Sequence, residues 1–334
     1  MDNQHNDIKL GAIFGTGRSG TTWLGAMVSS HPEVAYRFEP FHRLSKSKPE
    51  IAAALEQIRS EDFSSQDLAN IYQALLPAYP EIEKPPFFPK SYGMGFPLGR
   101  EFTWPLARKT SWGRNLFSHL YMPKGNPTLI FKEVALEDVL TKLLNLNQVP
   151  IVYILRHPCG VVSSLLRGQK DALMPTGMRS VLLNLLTKHQ PHLAEKYQGQ
   201  LQQMHISEQE ALLWLVEVEQ AIQVCQANSN ALIVVYEQLV EQPREMLEKI
   251  LTHFGLTMTS QCLEFIEQSS QSSMSSKIKR GEIGINQYFS VFRNSRSSRE
   301  RWKQEFSAED TQRVMRIIQN SKGYALGAAT GLWA

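Results

Sequence analysis

The amino-acid sequence predicts an α/β fold: a parallel sheet of about five strands flanked by helices. Four short apolar runs are nearly continuous rather than alternating, which is typical of strands buried on both faces of a parallel sheet. Helical patterns separate most of these runs, as the crossover connections between parallel strands require. Ligands of such folds bind at the carboxyl ends of the strands, so function is sought in the segments that follow them.

The strands are predicted in chain order from their apolar residues. The four apolar runs cover 10–14, 128–131, 151–155 and 231–235. A fifth run, EVAYRF at 33–38, contains β-forming residues but is more polar. We therefore expect this fifth strand nearer an edge of the sheet.

Helix boundaries are predicted from capping residues. Ser207 and Glu210 have the spacing of a capping box ahead of a long apolar periodic segment. The segment PREMLEKILTHFG starts with a proline suited to a first turn and stops at a glycine. Ser307 is predicted as the N-cap of a later helix, with Gly323 beyond its end.

The chain of 334 residues is long enough for one large domain with a sizeable core. We interpret residues 1–334 as one domain, with core segments at 8–44, 126–170 and 207–325 and insertions at about 45–125 and 171–206. Residues 77–127 hold nine of the 17 prolines together with many aromatic residues, which is typical of an ordered, irregular or helical lobe. Such a lobe is either an insertion packed on the core or a lid that binds a substrate.

Composition and charge exclude several classes of protein. With 42% hydrophobic and 20% charged residues the chain reads as soluble and globular, and no apolar run predicts stable membrane insertion. The polar start MDNQHNDIKL predicts no signal peptide. A net charge of +3 does not indicate nucleic acid but suits an anionic small ligand. The cysteines match no zinc or redox spacing, so we expect reduced thiols in the cytoplasm; they are Cys159, Cys225 and Cys262.

The segment LGAIFGTGRSGTTWL at 10–24 predicts a strand, a phosphate-binding loop and a helix. It almost fits the pattern G-x-x-x-x-G-K-[ST], but Thr21 takes the place of the lysine and Arg18 lies within the loop. Backbone N–H groups leading into a helix would bind an anion, and the residues concerned are Gly17, Arg18, Ser19, Gly20, Thr21 and Thr22. The strand at 151–155 is followed by Arg156 rather than by a metal-binding carboxylate, so we expect direct cation contacts and no metal. A glycine turn without a ligand is the alternative.

Three segments carry a family resemblance. FGTGRSGTTWL resembles the 5′-phosphosulfate loop of sulfotransferases that use 3′-phosphoadenosine 5′-phosphosulfate (PAPS). VYILRHPCGVVSSLLRG resembles their 3′-phosphate motif, which implies that Arg156 and Ser164 hold the 3′-phosphate. VVYEQLVEQPREMLEKILTHFGL is similar to a third family segment, which implies that Tyr236 contacts the nucleotide. The resemblance implies a P-loop NTPase-like fold and PAPS as the co-substrate.

The resemblance also implies a general base. Glu39 in YRFEPFHRL, at the end of the second predicted strand, resembles the glutamate of carbohydrate and tyrosylprotein sulfotransferases. Cytosolic sulfotransferases instead use the histidine of a Lys-x-His motif; the matching segment LIFKEVAL keeps Lys132 but has Val134 in place of the histidine. Glu39 is thus the expected base, with Lys132 and Arg18 stabilising the leaving-group oxygens.

Two alternatives to this assignment stay open. His42 follows closely behind Glu39 and is a second candidate base. Glu39 could also serve only as an ion-pair partner of Arg18 or Arg37.

Towards the carboxyl terminus the resemblance is looser. IKRGEIGINQYF is similar to the Arg-Lys-Gly-x-x-Gly segment of cytosolic sulfotransferases, and FRNSRSSRERWKQEF to a Ser/Arg-then-Trp segment of the carbohydrate enzymes. The resemblance implies that Arg280, Ser298 and Arg299 close over the nucleotide. Basic clusters of this kind are otherwise solvated surface.

These observations predict a PAPS-dependent enzyme that transfers a sulfuryl group to a hydroxyl of a small-molecule, carbohydrate or lipid acceptor. The insertions match no family segment, and we expect them to select the acceptor. A nucleotide kinase or NTPase with a degenerate loop is one alternative. A non-catalytic nucleotide-binding protein is another.

Overall fold

The computed structural model describes residues 8–83, 87–92, 99–174, 179–270 and 295–333. Five strands form one parallel sheet in the order β2-β3-β1-β4-β5. They are β1 (Leu10–Gly15), β2 (Val34–Phe38), β3 (Thr128–Lys132), β4 (Ile151–Leu155) and β5 (Ala231–Val235). The predicted α/β fold and its five strands are confirmed.

The burial of each strand follows its position in the sheet. The three inner strands β1, β3 and β4 are buried at every residue, as their continuous apolar sequences predict. The more polar β2 lies at one edge, as predicted, with β3 as its neighbour. Because every pairing is parallel, the carboxyl ends of all five strands meet at one edge of the sheet.

Helices cover both faces of the sheet. In β1, Ala12 and Phe14 belong to one hydrophobic cluster and Ile13 to another, as the alternation of side chains along a strand requires. The helices are α1 (Thr21–Ser29), α2 (Pro40–Leu44), α3 (Pro49–Arg59), α4 (Leu68–Leu75), α5 (Gly99–Lys109), α6 (Ser111–Tyr121), α7 (Glu137–Leu146), α8 (Pro158–Lys170), α9 (Arg179–His189), α10 (Pro191–Tyr197), α11 (Ile206–Gln226), α12 (Tyr236–Glu241), α13 (Pro243–His253), α14 (Ser260–Ser270), α15 (Ser295–Glu305), α16 (Ala308–Ile318) and α17 (Lys322–Ala328).

The capping box predicted for α11 is wrong by two residues. The helix begins at Ile206, so Ser207 and Glu210 lie inside it. The cap is His205, whose ring nitrogen Nδ1 accepts from the backbone N of Ser207 at 3.4 Å. The carboxylate of Glu208 accepts from the backbone N of His205 at 2.9 Å and completes the reciprocal arrangement.

The predicted N-cap of α16 is confirmed: Ser307 Oγ accepts from the backbone N of Asp310 at 3.0 Å. The helix ends at Ile318, however, and Gly323 lies inside the next helix, α17. Gly323 is there because a Cβ at this position would come within 2.3 Å of the Val218 side chain on α11. Its role is close packing between helices.

The insertion after β2 is largely helical, with α3 to α6 in its described part. Arg37 on β2 ties it to the sheet: its guanidinium donates to the carbonyl oxygens of Leu75, from Nε at 2.7 Å, and of Leu76. Arg37 is buried, so these carbonyl groups replace the water that its charge would otherwise need. The insertion is thereby attached to the strand that leads into Glu39.

The three cysteines are buried and free. In the described segments, every helix is too short or too polar to cross a membrane.

Candidate active site

The predicted site residues follow the five strands at one edge of the sheet. In spatial order they are Glu39 after β2, Lys132 at the end of β3, the 16–20 loop after β1, Arg156 after β4 and Tyr236 after β5. Neighbouring strands lie about 4.8 Å apart, so the edge presents these groups as a row. The row spans the sheet from the Glu39 side chain to the Tyr236 ring.

The loop after β1 leads into an uncovered helix start. Gly20 is the N-cap of α1 with φ 103°, and no side chain caps this helix. The N-terminal amides and the dipole of α1 therefore favour an anion. Ser19 contributes to the loop itself, because its Oγ donates to the carbonyl of Thr16 at 2.7 Å.

Gly20 is also required by the approach of Tyr236. A Cβ on Gly20 would come within 2.5 Å of the Tyr236 ring, and the positive φ disfavours other residues. Around Gly17, by contrast, the space that a Cβ would enter is open. Tyr236 thus packs against one side of the loop while the Gly17 side has room for a ligand.

A basic cluster joins the loop to β4 and α15. Arg18 Nε donates to Ser164 Oγ at 3.0 Å. Arg156 donates from Nη1 to the carbonyl of Arg18 at 2.9 Å and from Nη2 to the carbonyl of Ser298 at 2.8 Å. The Arg156 guanidinium also lies over the Tyr236 ring, 4.5 Å from its centroid. Five residues that were predicted to bind the nucleotide therefore lie together.

This cluster fits an anionic nucleotide. Arg156 Nε is buried, and within the described ranges it has no hydrogen-bond partner. A buried guanidinium nitrogen without an acceptor is costly unless a ligand supplies one. Together with the uncapped start of α1, it provides donors for phosphate oxygens.

The residues that directly follow Arg156 and Tyr236, His157 and Glu237, are held by contacts with the C-terminal part of the chain. Glu237 accepts from the backbone N of His157 at 3.2 Å and from Trp333 Nε1 at 2.7 Å. The His157 ring stacks on Trp302, with 4.7 Å between ring centroids. Burial and the charge of Arg156 lower the pKa of His157 to about 3, so this ring is neutral. The C-terminal segment, residues 295–333, thereby supports the ends of β4 and β5.

The proposed base lies in a second group on the other side of the loop. Glu39 forms a buried ion pair with Lys132 and a second with Arg43, whose Nε lies 2.8 Å from Glu39 Oε2. The Lys132 ammonium also lies over the Phe38 ring, 4.6 Å from its centroid. Glu39 itself has φ 50°, a left-handed conformation that is uncommon outside glycine.

These partners determine the protonation state of Glu39. Burial raises its pKa, but the charges and hydrogen bonds of Lys132 and Arg43 outweigh burial and leave the pKa lowered. Glu39 is therefore an anion at neutral pH, as a proton acceptor must be. Among the described residues its ion-pair partners are Lys132 and Arg43, rather than the Arg18 or Arg37 considered from the sequence.

Three other residues were predicted for the site: His42, Arg299 and Arg280. His42 is exposed on α2, three residues after Glu39. Arg299 pairs with Glu241 at 2.7 Å and Glu300 at 2.6 Å, so carboxylates engage its guanidinium. Arg280 lies outside the described residues.

Four residues of the candidate site were not predicted from the sequence. Arg43 and Glu133 contact the base or its helix, Glu237 supports the ends of β4 and β5, and the charge of Arg301 acts on Tyr236. Glu133 and Glu237 each directly follow a predicted site residue, which is a signal that the sequence contained. Arg43 stands four residues after Glu39, the spacing at which helical side chains meet.

In the portion of the chain that the structure describes, no group of three or more histidine, cysteine, aspartate or glutamate side chains is arranged to hold a metal ion.

Comparison with known proteins gives one family match. A family model described as the sulfotransferase domain matches residues 12–327. A search of curated proteins gives no significant match.

Several solved structures are similar at low sequence identity. The sulfotransferase domain of the Synechococcus PCC 7002 olefin synthase is 15% identical, covering 95% of this chain and 97% of that one, with a TM-score of 0.45. The sulfotransferase domain from the curacin biosynthetic pathway is 13% identical, with coverages of 93% and 96% and a TM-score of 0.46. Mouse sulfotransferase SULT7A1 complexed with PAP is 12% identical, with coverages of 98% and 89% and a TM-score of 0.48.

Proposed function

Since the chain belongs to the sulfotransferase family and is a PAPS-dependent sulfotransferase, we propose that it sulfates a hydroxyl group of a carbohydrate, lipid or other small-molecule acceptor with Glu39 as the general base. The observation that carries this proposal is the Glu39–Lys132 pair at the ends of β2 and β3, beside the anion-binding loop that follows β1. A carboxylate and a buried cation next to an anion site are the groups that sulfuryl transfer to an alcohol requires.

The proposed chemistry assigns one task to each residue. PAPS supplies the sulfuryl group as an electrophile. Glu39 accepts the proton of the acceptor hydroxyl as the new O–S bond forms and the bond between sulfur and the phosphate oxygen breaks. Lys132, together with the loop amides and Arg18, stabilises the negative charge on the sulfuryl and leaving-phosphate oxygens.

Lys132 also links donor binding to the strength of the base. Its single positive charge holds Glu39 in this structure and lowers the pKa of Glu39. When Lys132 also faces an anionic donor, it holds Glu39 less tightly, and the pKa of Glu39 rises. Glu39 is thus a stronger base when the donor is in place.

The nucleotide is assigned to the basic cluster. We propose that Arg156 and Ser164 bind the 3′-phosphate and that Tyr236 contacts the nucleotide. Arg18 is proposed to lie between the 3′-phosphate site and the 5′-phosphosulfate loop, since its carbonyl contacts Arg156 and its side chain contacts Ser164. The loop residues Gly17, Ser19, Gly20, Thr21 and Thr22 form the 5′-phosphosulfate site. Ser298, Arg299 and Arg280 are proposed to close this side.

We propose that the chain is a single domain, that its insertions at about 45–125 and 171–206 bind the acceptor, that transfer needs no metal, and that the protein is cytoplasmic. The last is supported by the three buried, free cysteines.

A binding experiment tests the nucleotide assignment and the metal requirement. Adenosine 3′,5′-bisphosphate should bind and raise the melting temperature in the presence of EDTA, because the protein's own cations neutralise the phosphates. ATP with Mg²⁺ is the comparison ligand. Protection by ATP with Mg²⁺ and not by the bisphosphate would contradict the assignment.

A transfer experiment tests the base and identifies the acceptor. The protein is incubated with ³⁵S-labelled PAPS and a cell extract, and the labelled product is identified. Glu39→Gln should bind adenosine 3′,5′-bisphosphate normally but lower the transfer rate by about 10² to 10⁴, as loss of a general base does. Unchanged turnover in this variant would remove Glu39 from the role.

A further inference from the structure

We infer that Glu133 is a positioning residue for the reaction: it caps the short helix that begins after Glu39 and so leaves the Glu39 carboxylate available for chemistry. The inference rests on the proposed function, because Glu133 acts through Glu39. Glu133 is fully buried and directly follows Lys132 at the end of β3. Its backbone N donates to the carbonyl of Ile13 on β1 at 2.9 Å, which holds this position against the centre of the sheet.

The Glu133 carboxylate reaches the first turn of α2. Its Oε1 accepts from the backbone N of Phe41 at 2.7 Å and from that of His42 at 3.3 Å. These are the second and third residues of the helix, whose N–H groups are normally bonded by the side chain of the N-cap residue. The N-cap residue here is Glu39, and its side chain makes no cap hydrogen bond.

Glu133 therefore replaces Glu39 as the cap. If the α2 amides lacked the Glu133 oxygen, the Glu39 carboxylate would be the nearest acidic group in sequence able to bond them. With the amides already bonded, Glu39 faces Lys132 and Arg43 instead. Of the two neighbouring acidic side chains, Glu133 caps the helix and Glu39 is left for proton transfer.

The backbone of Glu39 needs this support. Its left-handed conformation, with φ 50°, is unfavourable for a residue other than glycine and persists only where surrounding contacts determine it. One contact is the hydrogen bond from Glu39 N to the carbonyl of Lys132 at 2.8 Å, and another is the α2 turn, in which Arg43 N donates to the Glu39 carbonyl at 2.9 Å. Glu133 holds the start of that turn.

The second oxygen of Glu133 indicates how the cap works. Oε2 is buried and has no hydrogen-bond partner in the described part of the chain. Burial raises the pKa of Glu133 to about 8, so the carboxyl group is largely neutral at pH 7 and caps the helix with a carbonyl oxygen. A glutamine offers the same carbonyl oxygen, whereas an alanine offers none.

The test compares Glu133→Ala, Glu133→Gln, Glu39→Gln and the double variant Glu39→Gln/Glu133→Ala. A matched control is Glu210→Ala, which removes another buried glutamate side chain from α11, where it accepts a hydrogen bond from Gln169. Transfer of ³⁵S from saturating PAPS to the alcohols of a cell extract gives the rate. Calorimetry with adenosine 3′,5′-bisphosphate gives the dissociation constant of the nucleotide.

Glu133→Ala should lower the transfer rate about 100-fold, as a displacement of about 1 Å does, with the nucleotide dissociation constant changed less than about threefold. Glu133→Gln should keep the rate within about threefold of wild type, and Glu210→Ala should leave it unchanged. In the Glu39→Gln background, Glu133→Ala should have almost no further effect, because both variants remove the same contribution.

Three results would overturn the inference: a normal rate in Glu133→Ala, a Glu133→Gln variant as slow as Glu133→Ala, or fully additive effects in the double variant. If Glu133→Ala does not fold, the Glu133→Gln rate alone decides. Failure of the proposed function gives a different result, since Glu39→Gln would then be active whatever Glu133 does.

Discussion

Single residues with unfavourable backbone conformations mark the carboxyl edge of this sheet. Arg18, Glu39 and Ala135 all have positive φ values, and each follows one of the neighbouring strands β1, β2 and β3. Left-handed conformations of this kind are costly for residues other than glycine, and they concentrate where function requires a fixed side-chain direction. The direction is fixed for Arg18 by Ser164 and for Glu39 by Lys132 and Arg43.

The protonation of Glu39 gives a prediction at this scale. Lys132→Met removes the cation with the larger lowering effect on the pKa of Glu39, and Arg43→Gln removes the one with the smaller effect. Because a carboxylate without its cation is protonated at higher pH, both variants should move the acid limb of the pH–rate profile upward, Lys132→Met by more. The profile of kcat/KM for PAPS measures this, and an unmoved limb in both variants would contradict the assignment of Glu39.

The raised pKa of Glu133 leads us to expect a pH dependence of the free energy of unfolding. Its pKa is raised from 4.5 to about 8 by burial, so between these pH values the folded protein holds a proton that the unfolded chain has lost. Stability should therefore fall as pH rises through this range and level off above it, by roughly 5 kcal/mol at most. Glu133→Gln should abolish this part of the slope.

Urea unfolding at pH 5 and pH 8.5 measures that slope. Glu248→Gln, which removes a carboxylate from an exposed position of α13, controls for the loss of one negative charge. An equal slope in wild type and Glu133→Gln would show that Glu133 ionises normally in the folded protein.

At the scale of elements, strands could be predicted from the sequence better than helix starts. The runs at 151–155 and 231–235 match β4 and β5 residue for residue, because continuous apolar sequence is what a buried parallel strand requires. The predicted start of α11 was wrong because His205 caps the helix in place of Ser207. Its imidazole nitrogen is an acceptor that capping preferences rank low.

The packing of the loop against α12 predicts the effect of one methyl group. Gly20→Ala places a Cβ 2.5 Å from the Tyr236 ring and strains a residue with φ 103°. We expect the affinity for adenosine 3′,5′-bisphosphate to fall more than about tenfold, since the ring or the loop must move. Calorimetry checks this.

Gly199→Ala is the matched control, because nothing lies within 4 Å of its Cβ position. Equal nucleotide affinity in the two variants would mean that the loop tolerates the displacement of Tyr236.

At the scale of the whole molecule, the sequence could indicate candidate site residues but not their partners. Arg18, Arg156 and Tyr236 were each indicated in a segment that follows a strand, and Ser164 on the helix after β4; parallel topology brings such segments together. The contact of Arg18 with Ser164 and the cap supplied by Glu133 depend on side-chain directions across residues far apart in sequence. Local patterns contain no information about such directions.

The C-terminal segment predicts a long-range effect on the proposed nucleotide site. Trp333→Phe keeps the aromatic packing but removes the N–H that donates to Glu237, leaving a buried carboxylate oxygen unpaired at a cost of about 1–3 kcal/mol. We expect a lower melting temperature and a several-fold weaker affinity for adenosine 3′,5′-bisphosphate, because Glu237 supports the backbone beside Arg156.

Trp112→Phe is the control for this variant, since Trp112 is 59% exposed on α6. A normal nucleotide affinity in Trp333→Phe would show that the C-terminal segment stabilises the fold without supporting the site.

The pairing of Glu39 with Lys132 has a consequence for how the chain folds. The two residues are 93 positions apart, and the insertion lies between them. Closing a flexible loop of that length costs chain entropy of about 4 kcal/mol, which the pairing of β2 with β3 must offset before the two side chains can meet. Sulfuryl transfer should therefore recover late during refolding, after this long loop has closed.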